Sequence, residues 1–314
     1  MSEPAGDVRR GPGRLAEGAF VLVDKPRGPS SHQVSAWARD LLGVETAGHA
    51  GTLDPNVSGL LWVGVGPALK LLPLMLDFPK RYVALVTLHG PVAEKELAAA
   101  LAEFTGPIYQ TPPVRSAVRR ARRIRTIHRL TLLDRKGTHV LLDVVGDSGT
   151  YVRTLAVDLG DALGVGAHLA ELRRTGTGPF TEEGSVTLTV LADAAAAAQE
   201  GQPAPLLALL HPITEVTREF PQLRLKAGAA SAVAHGAGLA KGGIRSMDRP
   251  FRRGAHVVLL GEGGELVAIG TALRDSDGLG GEGWAIEPLR VMVDPAEFPP
   301  LWKDGRKSAP TSPP

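Results

Sequence analysis

Apolar and polar residues near the start of the chain follow first a strand-like and then a helix-like period. The apolar run at residues 19–23 predicts a short buried strand, which Pro26 ends because proline cannot continue the hydrogen-bond ladder. Ser30 or Ser31 can then cap a helix that Gly43 terminates. The apolar positions with helical spacing between these caps are Val34, Trp37, Ala38, Leu41 and Leu42. The segment therefore predicts a strand followed by an amphipathic helix.

Further strands and helices follow in mixed order. Residues 81–90 are rich in β-branched side chains and predict a strand, and residues 95–104 predict a helix. The next predicted strand, residues 138–145, leads through a turn into another helix. One face of the strand at residues 81–90 is predicted to carry Tyr82, Ala84, Val86 and Leu88. The last helix has leucines four residues apart at Leu155, Leu159 and Leu163. This order predicts an α+β domain over residues 18–215.

The composition changes in the Ala-rich stretch at residues 191–212, which ends in a proline-containing connection. We place a domain boundary there and expect a second domain at residues 220–297. Within it, residues 227–239 predict a helix, and residues 254–275 predict two strands around a Gly-rich turn, as in a small β-barrel. The chain ends predicted to be disordered are residues 1–17 and residues 298–314.

The composition excludes several classes of protein. Of 314 residues, 43% are hydrophobic and 22% are charged, which is typical of a soluble globular protein with a sizeable core. The chain has no cysteine, which excludes disulfides, thiolate catalysis and cysteine-ligated metal. No apolar run reaches the roughly 20 residues of a membrane span, and the N-terminal segment lacks the apolar centre of a signal peptide. We therefore expect a cytoplasmic protein that uses no metal and contacts no membrane.

Arginine is concentrated between residues 114 and 130, in a stretch with no acidic residue. The arginines of this stretch are Arg115, Arg119, Arg120, Arg122, Arg123, Arg125 and Arg129. Such a density repels itself unless an anion neutralises it, and arginine pairs bidentately with phosphate. We interpret the stretch as an RNA-binding segment, with a solvated charged loop as the alternative.

One carboxylate, Asp54, lies in a turn rich in Gly, Thr and Pro, with His49 five residues before it. An aspartate in such a turn is usually a cap or a turn-former, because its side chain can accept hydrogen bonds from nearby backbone N–H groups. The turn alone favours this structural interpretation.

Several segments together resemble the TruB-type pseudouridine synthases, and most closely their dyskerin-like archaeal and eukaryotic branch, which modifies RNA within H/ACA guide ribonucleoproteins. The segments in the first domain are DKPRGPSSHQV, AGHAGTLDPNVSGLL, KRYVALVTLHG, TPPVRSAVRR, DSGTYVRTLAVDLG and GVGAHLAELRRTGTGPFTE. Two more, KAGAASAVAHGAGLAKGGI and ELVAIGTALR, resemble the PUA domain of that branch. The resemblance covers residues 20–273. It implies a mixed, largely antiparallel, eight-stranded sheet with flanking helices, followed by a PUA β-barrel.

The resemblance also implies a reaction and three catalytic residues. Uridine is isomerised to pseudouridine by breaking the C1′–N1 bond, turning the uracil and rejoining it through C5, with no cofactor. The resemblance places the carboxylate on Asp54, which forms an adduct at C1′ or stabilises a cation while a C2′ proton leaves. Tyr82 matches the tyrosine that stacks on the base near that proton, although its spacing alone indicates a core aromatic. Arg153 matches the arginine that pairs with the carboxylate, keeping it ionised and oriented; a phosphate contact or a surface position is the alternative.

Other residues are implied to bind the substrate. By resemblance, Tyr151 and Leu172 line the uracil pocket and Lys25 braces the first motif, although each could also serve only in packing. His49 is implied to hold the flipped nucleotide rather than to transfer a proton, since a base inside a helix must be extruded before it can react. The arginines expected near the substrate phosphates are Arg119, Arg120, Arg122 and Arg123.

Three hypotheses differ in how the substrate is chosen. The chain is a guide-dependent subunit whose PUA domain binds an H/ACA RNA, a stand-alone enzyme for the tRNA T-loop, or a non-catalytic RNA scaffold. The PUA segments favour the first. A scaffold predicts a broken catalytic set, whereas Asp54, Tyr82 and Arg153 are all present. The partners implied are substrate rRNA or tRNA, the guide RNA, a small zinc-ribbon protein, a Gar-type protein and a kink-turn-binding protein.

Overall fold

The computed structural model describes residues 15, 17–111, 121–278 and 283–301. Two compact units divide between Pro212 and Ile213. The division precedes the predicted boundary at residue 215, because the strand ending at Pro212 is the last element that pairs with the first sheet. None of the described helices is long and apolar enough to cross a membrane.

The first unit contains ten strands and six helices among its described residues. The strands are β1 (Ala19–Lys25), β2 (Ala47–Ala50), β3 (Ser58–Val65), β4 (Lys80–Leu88), β5 (Gly106–Gln110), β6 (Arg123–Lys136), β7 (His139–Gly146), β8 (Ala167–Thr177), β9 (Phe180–Thr181) and β10 (His211–Pro212). The helices are α1 (Ser31–Leu42), α2 (Leu72–Met75), α3 (Glu94–Glu103), α4 (Val152–Ala162), α5 (Leu188–Gln199) and α6 (Ala204–Leu209).

These strands form one mixed sheet in the order β10-β1-β3-β8-β4-β7-β6-β5, with β2 added to β3 and β9 added to β8. Neighbours are antiparallel except β3 and β8, which run parallel. The predicted α+β class with a mixed, largely antiparallel sheet is confirmed. Eight strands lie along the continuous path of the sheet, which is the number expected. The short strands β2 and β9 pair beside this path and raise the described total to ten.

Helix α1 shows how local sequence sets an element. Ser30 caps its N-terminus in a capping box with Gln33, and Gly43 ends it in the left-handed conformation at φ 62°. Both caps agree with the prediction. Trp37, predicted on the apolar face, is 45% exposed because it lies at the edge of the buried stripe through Val34 and Ala38.

Two apolar cores cover different parts of the sheet. One packs β4 and β7 against α3 and α4, with Tyr82 and Leu172 on its margin. The other packs β1 and β3 against α1, α5 and α6. Leu15 is buried in this second core, so the predicted disordered leader is wrong at that residue. Residues 1–14 and 16 lie outside the described residues.

The second unit is built on a six-stranded sheet in the order β12-β16-β15-β14-β11-β13. Its strands are β11 (Gln222–Leu225), β12 (Leu239–Ala240), β13 (Ile244–Met247), β14 (His256–Leu260), β15 (Leu266–Ala272) and β16 (Trp284–Val291). Its helices are α7 (Ile213–Thr217) and α8 (Ala227–Ala234). Strands β11 and β14 are parallel and the other pairs are antiparallel, which gives a nearly closed barrel around an apolar core.

The predicted tail also needs a correction at its start. Phe298 packs against the second unit's core, and the hydroxyl of Ser231 donates to the carbonyl oxygen of Pro299 at 2.8 Å. The ordered unit therefore continues past residue 297, because this hydrogen bond and this apolar contact hold the chain. Residues 302–314 lie outside the described residues.

Candidate active site

Asp54 and Arg153 come together in the first unit. Asp54 lies in the connection from β2 to β3, and Arg153 lies in the first turn of α4. The Nη2 atom of Arg153 contacts Oδ2 of Asp54 in an ion pair. The two side chains remain 45% and 52% exposed, respectively. The carboxylate is therefore oriented by a cation and still open to a ligand.

Backbone contacts clamp the turn on both sides of Asp54. The buried hydroxyl of Ser31 accepts from the Leu53 N–H at 2.8 Å and lies 3.0 Å from the Leu53 carbonyl oxygen, to which it donates. On the other side, Nζ of Lys25 donates to the carbonyl oxygen of Pro55 at 3.2 Å. The carboxylate thus projects from a peptide that is fixed at the residue before it and the residue after it.

Lys25 is buried at the end of β1. Its Nζ also donates to the carbonyl oxygen of Pro26 at 2.8 Å, so it joins its own motif to the turn of Asp54. Burial, followed by the charge of Arg174, lowers the pKa of Lys25. The role of Lys25 in bracing the first motif, which the family resemblance implies, stays a prediction.

His49 lies on β2 and is held from several directions. Its Nδ1 is 3.2 Å from the hydroxyl of Ser35, and its Nε2 is 3.3 Å from the hydroxyl of Thr52. The ring of His32 meets it edge to face, with centroids 4.7 Å apart. Burial lowers the pKa of His49, and the charges of His32 and Arg174 lower it further. His49 is therefore a neutral, fixed imidazole at neutral pH.

Tyr82 lies on β4, half-buried, on the core-facing side that the alternation predicts. Its partner across the sheet is Arg174 of β8, so the two side chains lie next to each other on one face of neighbouring strands. Arg174 is 2% exposed. Its Nε donates to the carbonyl oxygen of Leu60 and its Nη1 to that of Gly51, both at 2.7 Å. Arg174 thereby connects Tyr82 with the segment that leads to Asp54.

The two predicted pocket residues lie on neighbouring elements. Tyr151 is the N-cap residue of α4, two positions before Arg153, and the side-chain amide of Gln110 bonds both its N–H and its carbonyl oxygen. Leu172 lies on β8 opposite Ala84 and packs on the margin of the first core. Their assignment to a uracil pocket stays a prediction.

The arginine-rich segment is only partly described. Arg119 and Arg120 lie outside the described residues. The guanidinium of Arg122 lies 4.3 Å from the ring centroid of Tyr109, which is itself 62% exposed. Arg123 is exposed at the start of β6. An exposed aromatic with arginines beside it is the combination that binds stacked bases and phosphates.

Sequence reasoning missed two buried cations beside the site, Arg174 and Lys80. Lys80 starts β4, and the carbonyl oxygens that accept from its Nζ are those of Phe78, Met75 and Leu76, at 2.6, 3.0 and 3.2 Å. Burial, with the charge of Arg174, lowers its pKa to about 8. Period-two alternation could have found Lys80, because it shares a strand face with Tyr82, Ala84 and Val86.

His32 and Ser31 were also missed as site residues, since the sequence identified only their helix. In the described part of the chain, no three His, Asp or Glu side chains are arranged to hold a metal ion.

Comparison with protein families gives four matches, three of which follow one another along the chain. Residues 39–96 match the TruB family pseudouridylate synthase N-terminal domain, and residues 153–217 match the tRNA pseudouridylate synthase B C-terminal domain. Residues 221–280 match the PUA domain. Residues 75–163 also match the C-terminal domain of Pus10.

Two archaeal relatives are similar over most of their length. The probable tRNA pseudouridine synthase B of Pyrobaculum arsenaticum is 44% identical over 296 residues, which span 93% of this chain and 89% of the relative. The protein of the same description from Methanothermobacter thermautotrophicus is 42% identical over 290 residues, spanning 90% of this chain and 88% of the relative.

Solved structures give the same result. A chain in a Cbf5-Nop10-Gar1 complex superposes with a TM-score of 0.84 at 37% identity, covering 96% of this chain and 94% of that chain. A chain in an H/ACA RNP bound to a substrate RNA containing 2′-deoxyuridine gives 0.80 at 36% identity, covering 96% and 94%.

Proposed function

The chain belongs to the TruB family of pseudouridine synthases, and from this premise we propose that it isomerises uridine to pseudouridine in rRNA or tRNA selected by an H/ACA guide RNA. The observation that carries the proposal is the ion pair between Asp54 and Arg153, held on a clamped turn. Such an arrangement presents an oriented carboxylate to a ligand.

The reaction conserves atoms and electrons. The C1′–N1 bond breaks, the C1′–C5 bond forms, and the proton on C5 is lost while N1 gains one. Asp54 attacks C1′ to give an adduct, or stabilises the cation at C1′ while a C2′ proton leaves to give a glycal. Both routes use the same carboxylate and no cofactor.

The neighbouring residues have separate roles in this proposal. Arg153 keeps Asp54 ionised and oriented. Tyr82 stacks on the uracil and lies near the C2′ proton, and Tyr151 and Leu172 line the base pocket. His49, fixed and neutral, holds the gap that the flipped nucleotide leaves, and Lys25 braces the turn.

RNA binding is divided between the two units in this proposal. The arginine-rich segment engages the substrate phosphates, and the stacked pair of Arg122 and Tyr109 supports this role because the ring is open to a base. The PUA unit at residues 221–280 binds the guide.

Guide dependence rests on the similarity, over 96% of this chain, to a chain of an H/ACA RNP bound to a substrate RNA. The proposed partners are a zinc-ribbon protein like Nop10, a Gar1-like protein and a kink-turn-binding protein that the guide RNA recruits. We place this assembly in the cytoplasm. The second candidate, a stand-alone tRNA enzyme, is favoured by the description of the archaeal relatives as tRNA pseudouridine synthase B.

One reconstitution separates the two candidates. The full chain is assembled with the partner proteins and one of two guides that pair with different uridines of the same transcript. Guide dependence predicts that the modified uridine changes with the guide and that a bare T-loop transcript reacts weakly. Efficient modification of the bare T-loop, with no redirection by either guide, would establish the stand-alone enzyme instead.

A further inference from the structure

Arg174 is a buried guanidinium without a carboxylate partner in the described part of the chain. It is 2% exposed, and burial lowers its pKa. A buried charge of this kind costs free energy, and an apolar side chain of similar volume is often at least as stabilising. Stability alone therefore does not account for an arginine at this place.

The hydrogen bonds of Arg174 converge on the candidate active site. Strand β8 lies between β3 and β4 in the sheet, so its side chains reach both neighbours. Arg174 donates to the Leu60 carbonyl oxygen on β3 and to the Gly51 carbonyl oxygen beyond β2, and it lies directly opposite Tyr82 on β4. One rigid side chain thereby spans the base-stacking tyrosine and the turn of Asp54.

The backbone before Asp54 comes close to the guanidinium of Arg174. Gly51 has φ +68°, and a Cβ at this residue would lie 3.1 Å from Nη1 of Arg174. Glycine therefore permits both the backbone conformation and the short contact. The Gly51 carbonyl oxygen, three residues before Asp54, is held at 2.7 Å.

We propose that Arg174 is a positioning residue that fixes the hydroxyl of Tyr82 relative to the turn of Asp54, and so sets the distance between the two groups that act on the ribose. This inference rests on the proposed function, because Tyr82 and Asp54 take their roles from it. Arg174 does not touch the substrate. It acts through Tyr82, and its bonds to the carbonyl oxygens of Leu60 and Gly51 hold the guanidinium itself in place.

The adjacent arginine supplies a matched control. Arg173 projects from the other face of β8 and pairs with Asp24 at 2.9 Å and Glu182 at 2.6 Å. Arg173→Lys makes the same chemical change one residue away and keeps a cation beside these carboxylates. Arg174→Lys keeps a buried cation but cannot make several fixed hydrogen bonds in one plane.

The experiment measures single-turnover pseudouridine formation, RNA affinity and the thermal midpoint for the wild type and four variants. The variants are R174K, R173K, Y82F and R174K with Y82F. We expect R174K to slow the chemical step by about 100-fold, since a misplacement of about 1 Å has that effect. RNA affinity should stay within about twofold, and R173K should match the wild type.

The double variant tests whether Arg174 acts through Tyr82. With the hydroxyl already absent, adding R174K should slow the reaction by less than about threefold, because residues that act as a unit are not additive. The proposal would be overturned if the loss of rate in the double variant equalled the product of the two single losses. It would also be overturned if R174K reacted at the wild-type rate. If R174K does not fold, Y82F decides, because a wild-type rate without the hydroxyl leaves Arg174 nothing to position. A wild type that forms no pseudouridine refutes the proposed function rather than this inference.

Discussion

Asp54 and Arg153 form an ion pair across 99 positions of sequence. Both side chains are about half exposed, and exposed pairs contribute at most about 1 kcal/mol to folding. The pair therefore contributes little to stability. Its consequence is that a carboxylate on a fixed turn has one defined orientation toward a bound nucleotide.

Replacing Arg153 with Met should abolish most of the activity without unfolding the protein. The carboxylate loses its orienting partner, and we expect single-turnover pseudouridine formation to fall by about 100-fold or more. The thermal midpoint should barely change, because the pair is exposed. Arg39→Met is the control, since Arg39 also pairs with an aspartate, Asp40, but on the exposed face of α1. Equal rates for the two variants would remove Arg153 from the site.

His49 should act in binding and not in proton transfer. Because its pKa lies below the ordinary value near 6.5, a general base at this position would lose its proton-accepting form only as the pH falls below about 6.5. The ratio of wild-type to His49→Gln rates should therefore stay constant from about pH 5 to 8. Fluorescence of a 2-aminopurine next to the target uridine should report less base flipping in the variant. A ratio that falls as the pH falls below about 6.5 would identify His49 as a general base.

The arginine-rich segment should control the salt dependence of substrate binding. We expect a variant with glutamine at Arg119, Arg120, Arg122 and Arg123 to bind more weakly and to show a shallower slope of log K against log salt. Each lost phosphate contact to a single strand removes about 0.7 of slope. Glutamine at Arg39 is the control for a loss of surface charge. An unchanged slope would favour the solvated-loop interpretation.

Lys80 should titrate well below the other lysines. A 13Cε-lysine NMR titration, assigned with Lys80→Arg, should give a midpoint of about 8 for this residue. The folded-state pKa lies below the unfolded value of 10.5, so between about pH 8 and 10.5 the unfolded chain binds more protons. The Lys80 contribution to the free energy of unfolding should therefore rise with pH over that interval. A midpoint near 10.5 would show that burial does not act on this amine.

The sequence predicts elements well where caps and periodicity act locally. The bounds of α1 follow from Ser30 and Gly43, and the core face of β4 follows from alternation through Ala84 and Val86. Strand β6 was missed, because its arginines were interpreted as a charged RNA-binding segment. Strand β6 is held in the sheet by its pairing with β7 and β5. The charged composition of these residues does not indicate a strand.

The candidate site was predicted through family resemblance more than through physics. Asp54 and Arg153 are too far apart in sequence for spacing to join them, and Asp54 alone indicates a turn. Arg174 was missed because a charged residue in a strand indicates an exposed face. Only the order of β3, β8 and β4 shows that this side chain is enclosed.

The most direct test of the catalytic role of Asp54 replaces it with Asn in the full chain, assembled with one guide RNA and a matched substrate that carries 5-tritiated uridine. Asp40→Asn, on the exposed face of α1, is the matched control. We expect Asp54→Asn to release tritium at least about 1,000-fold more slowly than the wild type, about 4 kcal/mol of barrier, while binding the substrate equally well. Release by Asp54→Asn within about tenfold of the wild type, about 1.4 kcal/mol, would contradict the assignment of Asp54 as the group that acts at C1′.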